Sequence, residues 1–331
     1  LHDEGNGSPA FIADTLLGLI DEGIIASQEN RFTLHLDPSE VTRSRLPIPL
    51  SLKEALEERL APLSPEAVQV GQSVALARRR LDLDVLVDHV NLPEDDIMEA
   101  LDELVEANIV TEHRNDDVEQ VGLSHKRFRD VLGQRLTEEE CKAKHQKLGE
   151  LLERHYRQNL NDVVEQLTYH FEEAKLASKA YAYLCQTAQR HMNASSLEPA
   201  LAFLDRALRM EPAARAYMLL NEADERLAQT RRSRSQCLHH LGQWEESYQE
   251  IERAYHLAKL TPNLHLQSAI GAEMGRYLRD RGDLIRAKEY LTESLEKADA
   301  VGDVSLRPGP LYQLGAIMWS DGDLEQCENV W

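Results

Sequence analysis

Few residues in this sequence have both the type and the spacing to do chemistry, and His125 is the best placed of them. It stands in Gly122-Leu123-Ser124-His125-Lys126-Arg127-Phe128-Arg129-Asp130-Val131-Leu132, a stretch that predicts a short strand running into a helix. Ser124 is a good helix cap, because its hydroxyl can accept a bond from one of the unpaired amides that begin a helix. Phe128, Val131, Leu132 and Leu136 then recur at helical spacing on one apolar face. A histidine at such a start lies where backbone amides and the positive dipole end favour an anion. The position equally suits a half-exposed histidine that holds nothing, and both readings stand.

Other candidates are thinner. Cys141 and His145 lie four apart on one predicted helix face, as metal ligands do, but no third or fourth ligand is in view. Gly5, Gly7 and Ala10 fit a loose dinucleotide fingerprint without the strand that must precede it. Arg231, Arg232 and Arg234 read as a solvated helix face, or as a dock for a carboxylate-bearing partner. No Ser/His/Asp or Cys/His nucleophile pattern, zinc-protease helix or Gly-rich phosphate loop occurs, so the chain is expected to be noncatalytic.

The elements that would position these residues follow from the pattern. Phe11, Ile12, Leu16, Leu19 and Ile20 share a helical face, with Gly23 as its stop, and Pro38, Pro47 and Pro49 mark a linker. From Ser51 the sequence predicts a helix on Leu52, Leu56 and Leu60, and another starting at Ser64-Pro65. A short one on Leu83, Leu86, Val87 and Val90 precedes a fourth after Leu92-Pro93, with the proline in its first turn. Ile109-Val110-Thr111 and Val118 to Leu123 flank a polar turn and predict a two-stranded wing. Helices followed by a hairpin in that order make a winged helix.

In DNA-binding winged helices the helix before the hairpin enters the major groove. Here it carries Glu94, Asp95, Asp96, Glu99, Asp102, Glu103 and Glu106 and no Lys or Arg. Those carboxylates oppose the phosphate-neutralising term that supplies nonspecific affinity, so no nucleic acid is expected through this helix. The whole chain points the same way: 37 basic against 58 acidic side chains give a net charge of -21 over 331 residues. Such a field disfavours phosphate backbones and anionic membranes. Cys141, Cys185, Cys237 and Cys327 show no disulfide or zinc spacing, which fits a reducing cytoplasmic setting. No apolar run approaches a membrane span. The sequence lacks an initiator Met and stops at Trp331 inside an amphipathic pattern, so it is expected to be a piece of a larger protein.

After Thr137, which with Glu140 forms a capping-box pattern, the sequence predicts helix to its end. Gly242, Gly282 and Gly322 are spaced by 40 residues each time, at turns between paired helices. Two residues later stand Trp244, Leu284 and Leu324; five later, Ser247, Ala287 and Cys327; nine later, Ile251, Leu291 and Trp331. Small residues at the five-later position let paired helices approach, and large ones at nine fill the space between pairs. Met274-Gly275 and Leu314-Gly315 supply the tight contact of the first helix, and an earlier unit carries Ala200, Leu204, Ala207 and Pro212. Ser195 and Ala174 stand where its turn glycines would be.

This pattern resembles the tetratricopeptide repeat, in a form lengthened to about 40 residues from roughly 34, over residues 161–331. The resemblance implies an α-solenoid whose concave groove binds a protein or peptide. Its lining is expected around Gln236, Gln267 to Arg276 and Tyr312.

A second resemblance covers residues 5 to 157. It rests on Gly7-Ser8-Pro9-Ala10-Phe11-Ile12, Gly23-Ile24-Ile25, Leu46-Pro47-Ile48-Pro49-Leu50-Ser51-Leu52-Lys53-Glu54-Ala55-Leu56 and Leu123-Ser124-His125-Lys126-Arg127-Phe128-Arg129, in that order. Together these look like the STAND class of signal-transduction NTPases, in the bacterial branch of transcriptional activators, Ser/Thr kinases and cyclase-linked sensors. In that family a Gly-x-Pro motif touches the adenine of bound ADP, and Gly7-Ser8-Pro9 matches it. A histidine at the start of the last winged-helix helix contacts the ADP β-phosphate, and His125 matches it, with Lys126 in place of the usual Asp. The family's phosphate loop and Mg²⁺-binding acid have no counterpart here, so ADP or ATP would belong to the intact parent protein.

The expected organisation is therefore mainly α: residues 1–46 the end of a helical lid and its linker, 47–137 a winged helix with a small β-hairpin, and 138–331 a solenoid of tetratricopeptide-like repeats. Two functions compete. One is the regulatory, partner-sensing portion of a STAND-type NTPase, with the winged helix holding an ADP-bound resting state and a ligand driving release or oligomerisation. The other is a noncatalytic interaction scaffold.

Overall fold

The computed structural model describes residues 25–28, 31–34, 56–57, 59–115 and 118–320. Gly7, Pro9, the helix expected from Phe11 to Ile20, and the last repeat turn with Gly322, Leu324, Cys327 and Trp331 lie outside the described residues. The chain is mainly α and divides into two compact units, Leu1–Gln166 and Leu167–Trp331.

In the first unit, β1 (Ile25–Gln28) and β2 (Arg31–Leu34) form an antiparallel hairpin, with Ile25 opposite Leu34 and Gln28 opposite Arg31. These strands were not expected from the sequence, because four residues are too few for an alternating pattern to register. There follow α1 (Pro65–Leu76), β3 (Leu81–Asp82), α2 (Leu83–His89), α3 (Glu94–Glu106), β4 (Val110–Asn115) and β5 (Val118–Leu123). β5 lies between β3 and β4, antiparallel to both. Helix, strand, two helices and a hairpin thus follow one another in this unit.

Sequence-local signals set most of these ends. Ser64 caps α1 by accepting the Ala67 N–H at 3.1 Å, with Pro65 in the first turn. Glu103 of α3 then accepts from the Ser64 amide at 2.8 Å and from its hydroxyl at 2.6 Å, so one carboxylate ties the start of α1 to α3. Pro93 occupies the cap position of α3 rather than its first turn. Val70, Leu86, Ile97, Leu101, Leu104, Phe128 and Leu132 fill the core. Arg129 reaches back to the Ala75 and Arg78 carbonyls, both at 3.1 Å, and satisfies the open end of α1.

The helix expected at Ser124 starts later. Ser124 donates its hydroxyl to the Asn108 carbonyl at 2.5 Å, so it clasps the base of the hairpin instead of capping a helix. α4 runs Phe128–Gly133, and Leu136 lies beyond it. α5 (Glu138–His155) begins with the capping box of Thr137 and Glu140. It lies along α2, where Lys147 donates to the His89 carbonyl at 3.0 Å and His155 meets Asp88 at 2.9 Å. The Tyr156 hydroxyl just beyond α5 bonds Asp82.

Past α6 (Leu160–Glu173), the second unit is a run of antiparallel helices: α7 (Ala177–Asn193), α8 (Leu197–Arg215), α9 (Leu220–His240), α10 (Trp244–Lys259), α11 (Leu264–Asp280), α12 (Leu284–Val301) and α13 (Pro308–Ser320). α7 pairs with α8, α9 with α10 and α11 with α12. The three hairpin turns share one geometry. At Gly242 the residue has φ +77°, its N–H bonds the His239 carbonyl at 3.0 Å, and the next N–H bonds that of Leu238 at 2.9 Å. Gly282, with φ +84°, and Ser195, with φ +57°, repeat both bonds. The turn that ends α6 uses Lys175, with φ +58°, one residue beyond Ala174.

The register extends into the earlier unit. Five residues past each turn stand Ala200, Ser247 and Ala287, and nine past stand Leu204, Ile251 and Leu291, all buried. Seven before each turn stand Ala188, Ser235 and Gly275. Side chains this small let the two backbones of a pair come close.

Candidate functional site

The repeat turns send the first helix of each pair to one side, where α7, α9, α11 and α13 line a common cavity of about 460 Å³. Met192 and Leu197 give it an apolar end beside the Ser195 turn. Gln236 and His240 come from α9, Glu273 and Arg276 from α11, and Gln313 from α13. Gln236 and Arg276 both stand six residues before their turn glycine, so the same repeat position supplies the wall twice.

One carboxylate organises that wall. Glu273 Oε1 accepts from Arg232 at 2.6 Å and from the Gln236 side-chain amide at 2.8 Å. Its other oxygen is buried and has no hydrogen-bond partner. Arg276, one turn further along α11, holds its guanidinium 5.2 Å from the Tyr277 ring centre. Its Nε is buried without an acceptor. Burial, with Arg276 and His240 close by, pushes the His239 imidazole below its usual pKa. Arg279 reaches across to the Gln313 carbonyl and joins α11 to α13. The cavity thus combines an ion pair, an additional guanidinium and side-chain amides, a surface suited to a polar, extended ligand.

Of the residues expected to line the groove, Gln236, Glu273 and Arg276 do so. Gln267 does not: it is buried and donates to the Thr261 carbonyl at 2.8 Å. Tyr312 is 60% exposed on α13, one position before the lining Gln313. Met192, Leu197 and His240 were missed; the turn at Ser195 lies 47 residues before Gly242, so the 40-residue spacing does not reach the first two.

The arginine cluster is not a solvated face. Arg231 pairs with Glu250 at 2.9 Å, Arg232 with Glu273 and Arg234 with Asp205 at 2.7 Å. The carboxylates it docks belong to the chain's own neighbouring helices. His145 is buried and Cys141 half-buried, and among the described residues no cluster of three or more possible metal ligands occurs.

His125 occupies the turn between β5 and α4, half-buried. Its Nδ1 accepts the Arg127 N–H at 3.2 Å. An amide can only donate, so this bond leaves the ring proton of the neutral imidazole on Nε2, the form in which that nitrogen acts as a donor. On α3, Glu94, Asp95, Asp96, Glu99, Asp102 and Glu106 are exposed, whereas Glu103 is committed to Ser64. No described helix is long and apolar enough to cross a membrane.

No protein-family model matches the sequence, and no curated protein matches it. Solved structures of helical-repeat proteins align at low identity. RapI in its apo form is 11% identical over 85% of this chain and 68% of its own, with a TM-score of 0.46. BtubC from P. vanneervenii is 13% identical over 59% of this chain and 88% of its own, with a TM-score of 0.43. A STAND protein with a tetratricopeptide repeat sensor from Pyrococcus horikoshii is 12% identical over 99% of this chain, which spans 55% of that protein's length, with a TM-score of 0.39. At these scores the likenesses identify no ligand or activity.

Proposed function

We propose that this chain is the partner-sensing portion of a regulatory protein and that its repeat array binds a protein or peptide segment along the first helices of successive units. The observation that carries the reading is the cavity shared by α7, α9, α11 and α13, with side-chain amides and charged groups facing one another across it. A photo-crosslinking residue at Gln236 or Gln313 in the full-length protein should capture the partner. One at Ile285, exposed on α12, should not. Capture from Ile285 alone overturns the reading.

We further propose that the parent protein is a STAND-type NTPase in which the winged helix steadies an ADP-bound resting state. Supporting this is the tautomer of His125: its Nδ1 accepts the Arg127 N–H, so its ring proton is on Nε2, the kind of donor a phosphate oxygen accepts from. Bound ADP would supply the anionic group, and this chain's part would be to hold it and favour the closed arrangement. The exposed carboxylates of α3 argue against a second role on DNA. His125→Ala in the full-length protein should lower copurified ADP and raise basal output without changing the melting temperature. If both stay at wild-type levels, His125 is only a turn residue.

A further inference from the structure

We propose that the groove's occupant is an extended segment of a partner protein that presents an acidic side chain to Arg276. This rests on the groove being the binding face and adds the chemistry read there. The other arginines around this wall are matched by the chain itself: Arg232 by Glu273, Arg231 by Glu250, Arg234 by Asp205 and Arg279 by Asp280. Arg276 lines the same cavity and, among the described residues, has no carboxylate partner. Since Arg232 and Glu273 cancel, Arg276 leaves this part of the groove with one uncompensated positive charge. The net charge of -21 does not erase it, because charges beyond about 8 to 10 Å are largely screened at physiological salt.

One guanidinium matches one carboxylate, whose two oxygens fit its fork of donors. A dianionic phosphate would be half-neutralised and would sit close to Glu273, so the wall favours the singly charged group.

The test selects random dodecapeptides displayed on phage against the protein. Selected sequences should share an Asp or Glu at one position. Changing that residue to Asn or Gln, or making Arg276→Ala, should each weaken binding by roughly tenfold to a hundredfold, with circular dichroism confirming an unchanged fold. Arg276→Glu should bind a peptide with Lys at that position better than the original peptide. If peptides are selected that Gln236→Ala weakens and Arg276→Ala does not, the groove reading survives and the carboxylate proposal fails. A phosphoserine peptide that binds more tightly than its aspartate twin overturns the choice of a carboxylate. Selection of no peptide that competes at the groove sinks both.

Discussion

The α9–α10 and α11–α12 pairs solve the same packing problem with opposite chemistry at corresponding levels. In the first pair, Ser235 and Ser247 meet nearest the turn, each donating to the other's carbonyl at 2.8 and 2.7 Å, and the Tyr277 hydroxyl joins Ser247 at 2.5 Å. Seven residues further from the turn the pair is Ala228 and Ala254. In the second pair the order is reversed. Gly275 and Ala287 lie near the turn, and Ser268 and Ser294 make the reciprocal bonds further along, at 2.9 and 2.8 Å. Each pair therefore has one serine clasp and one bare contact. The requirement common to both is backbone proximity, and a buried serine is tolerated because the facing carbonyl is within its reach.

The largest test of that comparison is Gly275→Ala. A Cβ there would lie 2.5 Å from Leu291 Cγ and 3.2 Å from the Ala287 carbonyl oxygen, so the pair must separate. We expect a loss of about 2 to 3 kcal/mol in urea unfolding, outweighing the gain of about 1 kcal/mol that alanine normally gives inside a helix. A stabilised variant would show that the bare contact has slack. Ser247→Ala comes next, at about 1 to 2 kcal/mol, since it deprives both Ser235 and Tyr277 of a partner. Replacing Ser268 or Ser294 alone should cost about 1 kcal/mol, since the remaining hydroxyl keeps its backbone-carbonyl partner, and replacing both should cost about the sum. A double variant much less costly than that sum would mean that the two hydroxyls depend chiefly on each other rather than on the carbonyls. The smallest effect concerns the turns. Ser195→Gly should raise stability by about 0.5 to 1 kcal/mol, as the residue already holds a left-handed φ of +57°. A thermal midpoint that falls would mean the Ser195 side chain contributes more than its backbone strain costs.

How much of this was legible depended on whether the determining contacts were local. Gly242, Gly282 and their flanking small and large residues announced the helix pairs, because one packing rule recurs at a fixed interval. Ser64, Thr137 and the hairpin residues were readable for a similar reason, since caps and short turns are decided within a few positions. β3 was not, as two residues carry no period and Leu81 is a strand only through Val121. Ser124 misled, because a tertiary bond to Asn108 displaced its capping role. The Arg231, Arg232 and Arg234 cluster misled for want of its partners, which lie 19 to 41 residues away along the chain. The wall of the groove was half legible: repeat position singled out Gln236, while the imbalance at Arg276 emerges only when every neighbouring charge is assigned.

The equal phase of the turns also sets a unit of measurement for whatever lies in the groove. Neighbouring packed helices stand about 8 to 10 Å apart, and an extended chain advances about 3.3 Å per residue. Each first helix therefore inspects roughly three residues of a bound strand before the next takes over. Duplication of the 40 residues between Gly242 and Gly282 would add one such reading frame without altering the chemistry of those beside it. Ligand length, like a word spelled in triplets, could then change in whole steps.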